Sequence, residues 1–101
     1  IDDLVGLLRR VADGDGVPAL VNAGSGRPTT LATVVEVVQD VVGPLRLVLD
    51  QQEARSFDIP ASWLDVSLAW RSLGWQATTD LSAGVSAMWR WLTREPPGTA
   101  R

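Results

Sequence analysis

The sequence contains no cysteine, histidine, tyrosine or lysine. That excludes a Ser-His-Asp triad, a thiol nucleophile, a His/Cys zinc set and a Schiff-base lysine within the chain. A phosphate-loop lysine is excluded as well. Proton transfer falls to twelve carboxylates and all cationic charge to nine arginines. No disulfide framework can form, which fits a cytoplasmic setting. Long apolar runs are also missing, so no segment reads as a membrane span or a signal peptide. The arginines stand singly or as the one pair Arg9-Arg10, and the net charge is -3. The clustered basic face that nucleic-acid binding needs is therefore absent. By itself the chain is a poor candidate for an enzyme, and neither a metal site nor a catalytic residue is expected in it.

What is present is ordinary globular composition: 46% hydrophobic and 21% charged residues over 101 positions, with 9 Gly and 6 Pro. This is enough for one small domain or a piece of a larger one. Residue 1 is Ile, and we expect the chain to start within a longer polypeptide.

Four helices are legible. Leu4, Leu7, Leu8 and Val11 recur at helical spacing, which predicts a helix over Asp2 to Ala12, with Asp2 or Asp3 capping its start. Leu31, Val34, Val35, Val38, Val41 and Val42 predict a second, from about Leu31 to Val42. Its valines favour a strand, but the length and the closing Gly43-Pro44 decide for a helix. Asp65 reads as the cap of a short helix, Val66 to Ser72, and Asp80 as the cap of a last one reaching about Thr93.

Two short apolar runs bounded by turn residues, Ala19–Ala23 and Arg46–Asp50, read as buried strands. The expected fold class is thus α/β, an α+β fragment of about four helices and two or three short strands. A two-stranded sheet is marginal alone, so some apolar surface is expected to pack on something outside these residues. Pro96-Pro97-Gly98 opens a tail, 96–101, expected to be disordered.

Few motifs carry chemistry. Gly24-Ser25-Gly26 lies between the first strand candidate and a helix, where backbone N–H groups can cradle phosphate. The third glycine of a dinucleotide fingerprint is missing, however; Thr29 stands there. A structural turn is the better reading. Arg55 and Asp58 lie in a polar loop: Arg grips phosphate bidentately and Asp accepts from sugar hydroxyls, but on spacing alone solvated loop charges are the better reading. Arg9-Arg10, near a helix C-terminus, suits the dipole there. The five tryptophans would suit a sugar-stacking platform, but core or interface packing accounts better for most of them. Trp75, just after Leu73-Gly74, is placed where a helix end folds back onto the core.

The order of motifs resembles a known family. Asp2-Asp3-Leu4-Val5, Val21 to Leu31, Asp65-Val66-Ser67 with Ala69, Leu73-Gly74-Trp75, Asp80 to Val85 and Trp89 with Trp91 occur in sequence over about residues 1 to 93. Together they resemble the C-terminal part of the extended short-chain dehydrogenase/reductases, the NAD-dependent nucleotide-sugar epimerases and dehydratases. Each piece is weak alone, and the ordered set is specific.

The resemblance implies a C-terminal substrate-binding domain over residues 1–95, with 1–26 completing an absent Rossmann domain. That domain would hold NAD or NADP and the catalytic Tyr-x-x-x-Lys, none of which this chain contains. The family's "R-P-G-D" loop falls on Arg55-Ser56-Phe57-Asp58. By resemblance, Arg55 faces the phosphates of a nucleoside diphosphate sugar and Asp58 its ribose. The implied partners are that substrate, the missing Rossmann domain and, for the parent, a second copy of itself. Departures are plain: Ser56-Phe57 replace Pro-Gly, Pro60 and Ala61 replace a frequent basic residue, and Leu68 stands at a lysine position. Two rival readings are a non-catalytic nucleotide- or protein-binding module and a reductase acting on a non-sugar carbonyl.

Overall fold

The computed structural model describes residues 1–44 and 48–94. It contains four helices: α1, Asp2–Asp13; α2, Leu31–Val42; α3, Ser67–Leu73; and α4, Leu81–Leu92. All four expected helices form, α2 with the expected ends. None is long and apolar enough to cross a membrane.

The α/β expectation is overturned, because the described residues form four helices and no strand. Ala19–Ala23 has no ladder partner. Val21 and Ala23 instead lay their side chains on the core around Leu7, Ala69 and Trp75. Val21 and Ala23 pack without pairing, while Ala19 and Leu20 are exposed. Of the second candidate, Arg46 and Leu47 lie outside the described residues; Val48 to Asp50 are irregular and exposed. A short apolar run reports burial, whereas a strand also needs a neighbour to take its backbone hydrogen bonds. The expected tail, 96–101, lies outside the described residues too.

The chain divides into two units. The first comprises Ile1–Pro28 and Gln52–Thr79, the second Thr29–Gln51 and Asp80–Arg101.

In the first unit α1 packs on α3. Leu7, Ala69 and Trp75 are buried, with Val21, Ala23, Leu73 and Ala77 against them. Gly74 ends α3 in the left-handed region, at φ 59°. Its N–H donates to the Trp70 carbonyl, the bond of an αL cap, and that of Trp75 to the Ala69 carbonyl, and together they reverse the chain. Trp75 thereby turns back onto the core, as its place after Leu73-Gly74 predicts, and its indole Nε1 donates to the Asp3 carbonyl at 2.8 Å. Arg10 does more than suit the end of its own helix: its Nη1 donates to the Leu73 carbonyl at 2.9 Å, satisfying the end of α3.

Two expected caps are corrected. The N-cap of α1 is Ile1, with no side-chain bond. The Asp3 carboxylate is taken by the Thr78 N–H and Oγ1 and by the Thr79 N–H, at 2.9 to 3.1 Å. Val66 is the N-cap of α3, and Asp65 serves the helix from one residue further out by accepting from the Ser67 N–H at 2.9 Å.

In the second unit α2 packs on α4. Thr30 caps α2 by accepting from the Thr33 N–H, and Asp80 caps α4 by accepting from the Ala83 N–H at 2.7 Å. The helical spacing of the α2 valines overrides their strand preference because it gives one apolar face to lay on α4. Neither helix buries a residue fully. Between them lies an apolar cavity of about 260 Å³ lined by Val38, Val42, Val85, Met88, Trp89 and Leu92.

Candidate functional site

The Arg55–Asp58 loop is a built turn in the first unit. The Asp58 N–H donates to the Arg55 carbonyl at 3.0 Å, closing a four-residue turn. One Asp58 carboxylate oxygen, Oδ2, accepts from the Arg55 backbone N–H at 2.8 Å. The other, Oδ1, accepts from Arg55 Nε at 3.2 Å and lies 3.2 Å from Nη2. From the other side, the guanidinium carbon sits 4.8 Å from the centroid of the Phe57 ring. So the loop turns without the Pro-Gly pair. Asp58 supplies the closure and Phe57 a surface for the cation.

The structure thus brings Arg55 and Asp58 together, and the first partner of Arg55 is Asp58 itself. That pairing weakens what a bare arginine offers an anion, since Asp58 offsets its charge. It does not consume the group. A guanidinium has five N–H donors, and these contacts engage Nε and Nη2 while Nη1 takes part in neither. The Arg55 side chain is 70% exposed. Neither residue lines the cavity between α2 and α4 or the open hollow formed by Gly6, Arg9, Arg10, Asp13, Gly14, Ser72 and Leu73.

The Gly24-Ser25-Gly26 loop serves packing. Gly26 has φ 71°, and a Cβ there would stand 3.0 Å from Val66 Cγ2; one on Gly24 would stand 3.6 Å from Leu64 Cδ1. The space the glycines leave open is filled by residues 64–66, and Asn22 Nδ2 ties the same region to the Asp65 carbonyl at 3.2 Å. Ser25 Oγ accepts from the Arg27 N–H at 3.2 Å, closing the turn on itself. The geometry of the loop is that of a turn packed against residues 64–66.

Among the tryptophans Trp75 is buried, while Trp63, Trp70, Trp89 and Trp91 are all exposed to water. No group of three or more carboxylates that could hold a metal ion occurs among the described residues. Two carboxyls are shifted. Asp3 lies below its ordinary value, chiefly through the Thr79 N–H, against the opposing effect of burial. Asp65 is lowered chiefly by the Ser67 N–H, with Arg71 adding a smaller Coulombic pull. Sequence reasoning missed the Asp3 clasp, whose partners lie more than seventy residues away, and it treated Phe57 as a departure rather than a partner.

Comparison with known proteins fits this picture. The chain is 29% identical over 79 residues to a UDP-glucose 4-epimerase of Neisseria meningitidis serogroup C, a match covering 78% of the chain and 23% of that protein. It is 29% identical over 82 residues to the UDP-glucose 4-epimerase of Caenorhabditis elegans, covering 78% of the chain and 22% of the relative. It is also 29% identical over 70 residues to UDP-glucuronate 4-epimerase 6 of Arabidopsis thaliana, covering 69% and 15%. No family model matches the chain, and no solved structure matches it significantly. The resemblance carried by the ordered motifs therefore stands as a distant similarity to UDP-sugar 4-epimerases. The chain spans less than a quarter of the length of these relatives.

Proposed function

We propose that this chain is the substrate-binding region of a longer NAD- or NADP-dependent nucleotide-sugar epimerase. It would orient a nucleoside diphosphate sugar for transient oxidation at a sugar carbon. The observation that carries the reading is the similarity to UDP-sugar 4-epimerases over most of the chain and only a part of each relative. The names of the relatives favour epimerisation over dehydration and over reduction of a non-sugar carbonyl.

Within that role, Arg55 contacts the diphosphate through the guanidinium edge that Asp58 leaves open, and Asp58 accepts from the ribose. The dinucleotide and the groups that move protons belong to polypeptide outside this chain, a reading supported by the lack of any Tyr or Lys in its sequence. Residues 1–26 dock on that dinucleotide-binding part, and residues 1–95 together act as the substrate-binding domain. Holding the nucleotide fixes which sugar carbon faces the nicotinamide, and such positioning is itself a large part of catalysis.

Replacing Arg55 tests the reading. Arg55→Ala in the full-length protein is expected to weaken UDP-glucose binding about tenfold by calorimetry. That is the lower end of the range for a charged hydrogen bond, because the site is solvent-exposed. Unchanged affinity removes Arg55 as the phosphate contact.

A further inference from the structure

The observation to explain is an aromatic ring left in water. Phe57 is 71% exposed, yet it stands in the middle of the tight Arg55–Asp58 turn. It contributes nothing to the buried core of its unit, which is built from Leu7, Ala69 and Trp75. What it touches is the guanidinium of Arg55, whose central carbon is 4.8 Å from the ring centroid.

Arginine is long and flexible, and on an exposed loop it samples many rotamers. Two contacts narrow that freedom here. Asp58 Oδ1 holds the Nε and Nη2 side, and the guanidinium carbon lies over the Phe57 ring. A carboxylate alone fixes one edge of the group and lets the plane tilt. A ring beneath the carbon restricts the tilt. The combination presets the direction of the Nη1 end, the end free to meet an anion.

We propose that Phe57 is a positioning residue. Through cation–π stacking it holds Arg55 in the orientation that binds a nucleoside diphosphate, doing for this loop what a rigid backbone would do otherwise. The inference rests on the reading of Arg55 as a phosphate contact. It assigns Phe57 no contact with the ligand, so its whole effect passes through Arg55.

A double-mutant cycle tests this in the full-length protein, with UDP as the probe and calorimetry as the readout. Phe57→Leu, which keeps the bulk and removes the ring, is expected to weaken UDP binding about two- to fivefold. Phe57→Tyr restores it. In an Arg55→Ala background, Phe57→Leu has no further effect, because the group it positions is gone. If Phe57→Leu weakens binding equally in both backgrounds, the ring stacks on the ligand or shapes the loop, and the positioning role is wrong. If Arg55→Ala weakens binding while Phe57→Leu changes nothing, the positioning role fails and the phosphate contact survives. If Arg55→Ala leaves UDP binding unchanged, or UDP does not bind at all, the underlying reading fails and takes the inference with it.

Discussion

The Asp3 carboxylate accepts three hydrogen bonds, from two backbone N–H groups and one hydroxyl, all supplied by Thr78 and Thr79. Donors of that kind favour the ionised form, and the carboxyl is lowered from its ordinary value of 3.8. The sign of the linkage follows. A depressed folded-state value means that stabilisation is present above the unfolded value and is lost as pH falls through the folded one. Asp3→Ala is therefore expected to lower the urea midpoint of the chain at pH 7, with the gap to the parent closing as the pH drops below about 4. Equal midpoints at pH 7, followed by circular dichroism, would show that the clasp holds nothing. At the same scale, the Arg55–Asp58 pair is too exposed to stabilise the fold by much. Surface ion pairs contribute about 0 to 1 kcal/mol, so its value lies in orientation.

Among the elements, α2 and α4 form a pair whose ends are secured by side chains. Thr30 accepts from the Thr33 N–H and Asp80 from the Ala83 N–H. An N-cap of this kind contributes about 1 kcal/mol, and neither helix has a fully buried residue to add more. Caps therefore matter more here than in a well-packed domain. Asp80→Ala is expected to cost about 1 kcal/mol and to lower the helical circular dichroism signal at 25 °C. Asp80→Asn, which can still accept the bond, is expected to recover most of both. In the other unit, the end of α3 is fixed differently: the left-handed Gly74 turns the chain and Arg10 of α1 takes the last-turn carbonyl of Leu73. There, closure depends on a neighbouring helix rather than on a local cap.

For the molecule as a whole, the decisive fact is how little it buries. Leu7, Ala69 and Trp75 are the buried hydrophobic residues among those described, while Leu8, Leu31, Trp63, Trp70 and Trp91 face water. Small domains depend on burial to offset chain entropy, and this one buries too little to be well served by itself. Its relatives are more than four times as long as the segment they share with it, and on the function proposed above the exposed apolar surface lies against further polypeptide. The isolated chain is expected to bind the apolar dye ANS strongly at pH 7 and to melt over a broad range. The same residues within the longer protein are expected to bind it weakly. A sharp melt with no dye binding from the isolated chain would remove the need for a covering partner.

Sequence alone determined the helices. Their hydrogen bonds run four residues back, so spacing, capping residues and closing glycines decide them locally; α2 and the Asp80 cap needed nothing more. It also placed Arg55 and Asp58 in one polar loop, and the ordered motifs carried the epimerase resemblance; that the loop closes as a turn was seen only in the structure. Tertiary structure decided the rest. A strand exists only if another segment accepts its backbone bonds, so Ala19–Ala23 became an irregular segment, with Val21 and Ala23 on the core, when none did. The partner of Asp3, the service Arg10 performs for α3 and the filling of the Gly26 gap by Val66 all depend on residues distant in the chain. No local pattern encodes those encounters; they are settled by which surfaces meet when the helices pack.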